Sequence, residues 1–211
     1  MYYSQAGQDQ FVLFCLNRKT KGTFVEIGSH DPIQINNTFV LENVFQWSGL
    51  MVERDPAYLP KYQEIRPKSK HLIQDATTIR YDEQFTKLGF PSVIDYLTID
   101  LDVRSQATIR CLRKLDSEVM ANYKCAVVTF EHDIYRGNFF NRRKYFATRK
   151  ESREIFGKYG YVRVFSDVRN LNNPYEDWYV HPDCVDMNRI EPFITNESLE
   201  WKDIVRRFHL E

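Results

Sequence analysis

The chain has 211 residues, which is enough to bury a hydrophobic core and most simply forms one domain. Lys and Arg total 29, as do Asp and Glu, so no overall field would draw the protein to a nucleic acid or an anionic membrane. Aromatic residues make up 15% of the chain, which is typical of a packed domain and excludes extensive disorder.

The sequence lacks the patterns of secretion and of structural zinc. Cys15, Cys111, Cys125 and Cys184 lie far apart and form no CxxC pair, so we expect reduced, buried thiols. The start of the chain has no basic and apolar leader, and no apolar run is long enough to cross a bilayer. These features predict a cytoplasmic protein without a membrane span.

Short runs rich in apolar and β-branched residues recur along the chain with helix-length spacers, a pattern typical of a parallel α/β sheet. They predict strands at residues 23–27, 49–53, 71–74, 93–100, 126–131, 161–165 and 178–180. Apolar spacing predicts helices at residues 8–17, 37–46, 105–115 and 151–159. The gap at 166–177 is polar and contains Asn-Asn-Pro, so we expect an irregular loop there.

Together the elements predict a Rossmann-like α/β fold with helices on both faces of a seven-stranded, mostly parallel sheet. The loop before the last strand allows that strand to be antiparallel. We expect one domain over residues 1–211, with a helical N-terminal segment at 1–20 and an appended segment at 182–211.

The first predicted strand ends in an acid and a glycine, within the run GTFVEIGSHDPIQINNTFVLE at residues 22–42. Ligands of doubly wound sheets bind beyond the carboxyl ends of the strands. This rule places Glu26, Gly28, Ser29 and His30 at a cleft, where Gly28 would let the backbone approach a ligand. A dinucleotide needs a glycine-rich turn, whereas this turn has one glycine and is acidic. A ligand with a cationic end, such as S-adenosylmethionine, suits it better.

The next two strand ends also carry acids. An acidic side chain at the tip of the second strand can accept ribose hydroxyls, which predicts this role for Glu53. The alternative is a surface ion pair of Glu53 with Arg54 or Lys61. After the third strand, Asp75 could accept the adenine amino group while the backbone N–H of Ala76 meets the ring.

Several motifs resemble those of FkbM-type S-adenosylmethionine-dependent methyltransferases. They include SQAGQD at 4–9, the strand and turn FVEIGSHDPIQINNTFVLE at 24–42, and WSGLMVE at 47–53. YLTIDLD at 96–102, VVTFEHD at 127–133 and DWYVHP at 177–182 extend the resemblance over nearly the whole chain. The resemblance implies a class I methyltransferase fold, S-adenosylmethionine as cofactor, and a hydroxyl of a sugar, glycan or glycosylated small molecule as methyl acceptor.

The predicted cofactor site gathers residues from the four central strand ends. It comprises Glu26, Gly28, Ser29, His30, Asn37, Thr38, Glu53, Asp75, Ala76 and Asp100.

The chain departs from the family pattern at two positions. Pro32 stands where a glycine usually follows Asp31, and Val103 stands where the family commonly has glycine. Because proline fixes φ and lacks an N–H, the turn must close differently. This leaves open a methyltransferase-like binding module that has lost its cofactor. A nucleotide- or NAD-binding oxidoreductase is a further alternative, although it would need a glycine-rich first turn.

The ends of the fourth and fifth strands carry the candidate catalytic groups. His132 is the predicted general base because its reference pKa lies near neutral pH, with Asp102 and Glu131 beside it. The alternative for His132 is a satisfied core or surface residue. Asp100, Asp102, Glu131 and Asp133 could instead bind Mg²⁺ through carboxylate oxygens, an alternative that we do not favour.

Two further stretches admit several readings. Residues 172–175, NNPY, are similar to a loop of base-amino methyltransferases but follow the sixth strand instead of the fourth. The run RGNFFNRRKYFATRK at 136–150 interleaves aromatic and basic residues. A lid over the cleft is the favoured interpretation, ahead of an anionic-substrate patch, a solvated loop and a single-stranded nucleic-acid site.

Overall fold

The computed structural model describes residues 2–208 and contains one eight-stranded sheet. In chain order the strands are β1 (Thr23–Ile27), β2 (Ser48–Glu53), β3 (Lys70–Ile73), β4 (Val93–Ile99), β5 (Lys124–Glu131), β6 (Val162–Asn170), β7 (Asn173–Val180) and β8 (Thr195–Glu200). Their order across the sheet is β3-β2-β1-β4-β5-β7-β6-β8. β7 is antiparallel to both neighbours, and all other pairs are parallel. The predicted Rossmann-like fold is therefore confirmed. The sheet has eight strands instead of the predicted seven, and the predicted antiparallel strand is followed by the parallel β8.

Helices cover both faces of the sheet. They are α1 (Gln8–Cys15), α2 (Phe39–Asn43), α3 (Leu59–Ile65), α4 (Tyr81–Leu88), α5 (Ala107–Glu118), α6 (Arg142–Lys158), α7 (Met187–Ile190) and α8 (Trp201–Phe208). Among residues 2–208, no helix combines the length and apolar character that crossing a membrane requires.

Side chains alternate between two apolar cores along each central strand. Phe24 and Tyr96 pack in one core, with residues of α1, α2 and α8. Their neighbours Val25 and Leu97 pack in the other, with residues of α4, α5 and α6. This alternation follows from the two-residue period of a strand and explains why central strands buried on both faces read as continuous apolar runs.

The predicted loop at 166–177 is wrong, because β6 and β7 run through it as a hairpin. Leu171 and Asn172 form the turn, with φ of 52° and 65°. Two consecutive residues with positive φ give the tight turn that matches the twist of paired strands. The stretch resembles a loop in sequence because it buries polar side chains: Ser166, Glu176 and Asp177 are all at most 4% exposed.

The segment at 182–211 was predicted as an appendage, but within its described part it completes the fold. β8 pairs with β6 in parallel, and α8 packs on α1. Phe208 of α8 stacks on Phe14 of α1 with ring centroids 4.3 Å apart. Met1 and residues 209–211 of the predicted segments lie outside the described residues.

Candidate functional site

A cleft of about 600 Å³ opens at the carboxyl ends of the five parallel strands. It lies where β1 separates the β2–β3 side of the sheet from the β4–β5 side, the position at which strand order reverses. Of the predicted cofactor residues, the cleft is lined by Gly28, His30, Glu53, Asp75, Ala76 and Asp100, and of the predicted catalytic residues by Asp102 and Glu131. Pockets of this size accommodate ligands of cofactor size.

Gly28 is required by the contact between two strand ends. Its φ is +94°, and a Cβ there would lie 1.8 Å from the carbonyl oxygen of Asp100. The backbone N–H of Asp100 donates to the carbonyl of Ile27 at 2.9 Å, which holds this approach in place. The expectation that Gly28 serves close ligand approach is therefore incomplete, because the glycine first permits β1 and β4 to end side by side.

Glu26 lies behind the cleft wall and anchors the loop that follows β1. Its carboxylate is 2% exposed and accepts hydrogen bonds from the Thr38 hydroxyl at 2.8 Å, the Asn36 amide at 3.2 Å and the Asn37 N–H at 3.2 Å. Burial raises the pKa of Glu26, and the charge of Arg66 opposes that rise. Glu26, Asn37 and Thr38 do not line the cleft, and their contacts here are with the protein itself.

Ser29 is also turned inward. It is 3% exposed, and its hydroxyl donates to the carbonyl of Glu26 at 3.2 Å. Of the first-turn residues predicted to meet the cofactor, only Gly28 and His30 line the cleft.

Arg66 completes this anchor and was missed by sequence reasoning. Its side chain is fully buried and donates to Glu42 at 2.9 Å, to Thr38 at 2.6 Å and to the side-chain oxygen of Asn36 at 2.9 Å. A fourth contact, at 3.3 Å, reaches the carbonyl of Pro32. A lone arginine at the end of a short helix carries no sequence signal for such a role.

Pro32 and Val103 both lie away from the cleft lining. Pro32 is buried and turns its carbonyl toward Arg66, while Val103 is 1% exposed and begins a 3₁₀ turn after Asp102. The loop after β1 therefore closes on a buried arginine.

Glu53 lines the cleft at the end of β2, and its carboxylate binds backbone amides. The N–H groups of His30, Arg54 and Asp55 donate to it at 2.9, 2.7 and 2.9 Å. No ion pair of Glu53 with Arg54 or Lys61 occurs in the described chain, where Lys61 pairs with Asp31. Since a carboxylate offers about four acceptor positions, these three bonds leave about one acceptor position of Glu53 unused.

Asp75 and Ala76 line the adjoining part of the cleft at the end of β3. Asp75 accepts hydrogen bonds from the Thr77 hydroxyl at 2.7 Å and from the Thr77 N–H at 2.9 Å. These bonds lower the pKa of Asp75, which keeps it ionised at neutral pH.

Three carboxyl groups, those of Asp100, Glu131 and Asp133, meet where β4 and β5 end. Burial, together with the charges of Asp100 and Asp133, raises the pKa of Glu131 well above its usual value. Burial also raises the pKa of Asp133, which forms an ion pair of 2.7 Å with Arg136. Like charges confined in this way share protons or bind a cation.

Asp102 also lines the cleft, but its carboxylate is engaged by backbone amides. It accepts hydrogen bonds from the N–H groups of Arg104 at 3.1 Å and Ser105 at 3.0 Å, so it caps the turn before α5. Burial acts to raise the pKa of Asp102, but the hydrogen bonds from Ser105 and Arg104 lower it overall.

His132 does not lie in the cleft. It is fully buried, and its Nε2 lies 3.3 Å from Asp167 and 3.5 Å from Asp177. Glu131, at the end of β5, and Asp133 line the cleft, whereas His132 between them alternates to the buried side. The prediction that placed His132 beside Glu131 and Asp102 as a base missed this alternation.

The surroundings of His132 form a closed charge network. Burial acts to lower the pKa of His132, but Asp177 and Asp167 raise it overall. These three residues have the spacing of a metal site. However, Arg153 binds Asp177 at 2.7 Å and Asp167 at 3.0 Å, and Arg149 binds Asp167 at 2.9 Å. The carboxylates are therefore already paired with cations.

A second buried carboxylate joins the N-terminal motif to β7. Glu176 accepts hydrogen bonds from the Gln8 amide at 2.9 Å, the Tyr175 hydroxyl at 2.6 Å and the Trp178 indole at 2.6 Å. Burial raises the pKa of Glu176 to about 7. Gln5 of the same motif lines the cleft, so SQAGQD closes one side of the site.

The cleft wall also contains Arg54, Arg110 and Arg136, which sequence reasoning did not assign. Arg136 is the only residue of the run 136–150 among the lining residues of the described chain. The remainder of that run forms a solvent-facing turn and the first half of α6, so it does not cover the cleft as a lid.

Comparisons with known proteins support the class of fold. No protein-family model matches the chain, and a search of curated proteins finds no match. Among solved structures, the chain is similar to a protein described as a candidate O-methyltransferase from Klebsiella pneumoniae. The TM-score is 0.58 with 12% identity, covering 85% of this chain and 82% of that one.

Two further structures have the same architecture. The TehB-like S-adenosylmethionine-dependent methyltransferase of Corynebacterium glutamicum has a TM-score of 0.51 and 10% identity over 84% of this chain and 89% of that one. Human methyltransferase-like protein 13, in complex with SAH, has a TM-score of 0.50 and 13% identity over 98% and 90%. The chain therefore has the Rossmann-like fold of S-adenosylmethionine-dependent methyltransferases.

Proposed function

We propose that the protein is an S-adenosylmethionine-dependent methyltransferase. The observation that carries the proposal is the acidic cleft, which side chains at the ends of β1 to β5 form. It lies where the strand order of a methyltransferase-type sheet reverses. Its carboxylates suit a ligand with sulfonium and ammonium groups, and its volume of about 600 Å³ fits a ligand of that class.

Within this cleft, each strand end is suited to one part of the cofactor. Glu53 keeps an acceptor position for a ribose hydroxyl, and Asp75 is available to the adenine amino group. Gly28 and Asp100 face the side where the methionine end would lie. When bound, S-adenosylmethionine supplies an electrophilic methyl group. Glu26, Asn37 and Thr38 support this site by fixing the loop after β1.

We propose a hydroxyl as the methyl acceptor, and a sugar or glycan as its carrier, as the FkbM-type motifs imply. A hydroxyl must lose its proton as the methyl group is transferred, which requires a base. Glu131 and Asp133 are the acids placed to accept that proton, since both line the cleft and both have raised pKa values. A raised pKa makes a carboxylate a better base once it is ionised.

The carboxyl groups of Asp100, Glu131 and Asp133 could together bind a divalent cation. One buried oxygen of Asp133, Oδ1, has no hydrogen-bond partner among the described residues, and hard oxygen donors suit Mg²⁺. Methyl transfer that stops in EDTA and returns with Mg²⁺ would assign this role, whereas indifference to EDTA would support a proton-sharing cluster.

The two alternative functions receive less support. Pro32 and Val103 lie outside the cleft lining, which supports a retained cofactor site over a module that has lost it. A dinucleotide pyrophosphate favours the N-terminus of a helix directly after the first strand. Here an 11-residue connection, residues 28–38, separates β1 from α2, and α2 itself has five residues.

The proposal is tested by offering a labelled methyl donor with a library of glycans and hydroxylated metabolites. We expect transfer to at least one hydroxyl, with loss of turnover in Glu131→Gln at all pH values and unchanged turnover in the exposed control Glu64→Gln. Transfer that persists in Glu131→Gln would remove the assigned base. Absence of transfer to every hydroxyl tested, together with transfer to an amine, would overturn the O-methylation assignment.

A further inference from the structure

An aromatic and basic surface lies beside the cleft and is not used by the proposed reaction. The run at 136–150 contains six basic residues and no acidic residue, in a chain whose formal charge is zero. Phe139 and Phe140 form its tip and are 88% and 92% exposed, the most exposed large apolar side chains in residues 2–208. Phe146, on the first half of α6, adds a third ring that is 46% exposed.

Several cations of this surface lie at the N-terminus of α6, which is the positive end of the helix dipole. Arg142, Arg143 and Lys144 occupy the first turn of α6, where no acidic residue is present. Helix N-termini favour negative charge, so each cation there is unfavourable. None of the three has a carboxylate within ion-pair distance in the described chain. An anionic partner would satisfy both the helix terminus and the cations.

The exposed rings are held in a fixed turn. The side-chain oxygen of Asn138 accepts the N–H groups of Phe140 at 3.0 Å and Asn141 at 3.2 Å, and the Asn141 side chain accepts the N–H of Asn138 at 2.8 Å. Holding the rings in place before binding lowers the entropy that a docking event would cost. The turn therefore presents two apolar side chains to solvent without shielding them.

The arrangement of the rings distinguishes between two anionic partners. Bases of a single strand stack as parallel planes on aromatic side chains. The rings of Phe139 and Phe140 stand at 90° with centroids 5.5 Å apart, so they cannot both stack on successive bases. Insertion into an apolar layer needs no common plane, and aromatic side chains beside Lys and Arg are typical of segments that lie in a membrane interface.

We infer that residues 136–150 dock this protein on an anionic membrane surface, with Phe139 and Phe140 inserted among the lipids and the cations of α6 at the headgroups. Arg136 belongs both to this run and to the cleft wall, so the docked face adjoins the mouth of the cleft. The inference does not depend on methyl transfer, because membrane binding needs neither donor nor acceptor.

The test is co-sedimentation of the full chain with vesicles of phosphatidylcholine, alone or mixed with phosphatidylglycerol, at low and high salt. We expect binding to the anionic vesicles that weakens as salt rises, since headgroup attraction is screened. The double variant Phe139→Ser and Phe140→Ser should weaken binding about a hundredfold. The reason is that two apolar side chains are no longer transferred from water into the lipid layer.

Charge reversal probes the cations separately. Arg142→Glu with Arg143→Glu should weaken binding at least tenfold, at about 1 kcal/mol for each cation removed from the surface. The matched controls are Val44→Ser, an exposed apolar side chain, and Lys87→Glu with Arg207→Glu, which makes the same change in net charge. Both controls should bind as the wild type does.

Three outcomes would overturn the inference: no binding to anionic vesicles, binding that the controls abolish equally, or binding to a single-stranded oligouridylate but not to vesicles. Because the altered side chains are solvent-exposed, circular dichroism and thermal unfolding of each variant should match the wild type. Retention of activity would separate a failed docking surface from a failed methyltransferase assignment.

Discussion

Replacing Arg66 with alanine should destabilise the protein more than any surface substitution of an arginine. Arg66 is fully buried and binds Glu42, Thr38, Asn36 and the carbonyl of Pro32. Its removal leaves the Glu42 carboxylate, which is 2% exposed, without a cation in the interior. Breaking a buried ion pair from one side costs about 3–5 kcal/mol, so we expect the free energy of unfolding to fall by that amount.

Urea denaturation followed by circular dichroism measures this loss. Arg80→Ala is the matched control, because Arg80 is 59% exposed yet lies within ion-pair distance of Asp82, Glu83 and Glu118. Exposed pairs contribute about 0–1 kcal/mol each, so this variant should lose little stability. If Arg66→Ala were no less stable than Arg80→Ala, the buried network would not hold the loop after β1.

Two further predictions concern glycine geometry and pH. Gly28→Ala should prevent β1 and β4 from ending side by side, because the added Cβ would lie 1.8 Å from the Asp100 carbonyl oxygen. We therefore expect a sharp fall in soluble yield and in the temperature of thermal unfolding. Gly89→Ala is its control: it also has positive φ but meets nothing within 4 Å, so it should cost only about 1–2 kcal/mol. A Gly28→Ala protein as stable as Gly89→Ala would contradict the geometry. For Glu176, the folded pKa of about 7 exceeds the ordinary value of 4.5, so its contribution to stability is complete below pH 4.5 and is lost as pH rises through about 7. Glu176→Gln keeps an oxygen acceptor but cannot ionise. Urea denaturation between pH 5 and 8 should therefore show that its unfolding free energy falls less steeply with pH than that of the wild type. An equal slope of unfolding free energy against pH would refute the raised pKa of Glu176.

The sequence predicted the architecture well because strands buried on both faces carry a strong apolar signal. Runs such as 23–27 and 93–100 differ from β1 and β4 by at most one residue at either end. The extension of β6 and β7 through 166–177 was missed because Glu176 and Asp177 are buried polar residues whose partners are distant in sequence. From sequence alone, Asp177 is typical of a loop. In the structure it is buried because Arg153, 24 positions earlier, donates a hydrogen bond to it.

The site was predicted in part, for a related reason. Strand ends identify which residues reach the carboxyl edge of the sheet, and this rule placed Glu53, Asp75 and Asp100 in the cleft. It does not indicate whether a side chain at that edge faces the cleft or the core. Glu26 on β1 and His132 directly after β5 both turn to the interior, and both are buried.

Isothermal titration with S-adenosylmethionine, S-adenosylhomocysteine and NAD⁺ tests the proposed cofactor site most directly. We expect both sulfur ligands to bind and NAD⁺ to give no heat. Glu53→Ala should weaken binding of either sulfur ligand by about tenfold to a hundredfold, the value of a hydrogen bond to a charged group, while Glu64→Ala should not. The absence of heat with both sulfur ligands would contradict the proposed cofactor site.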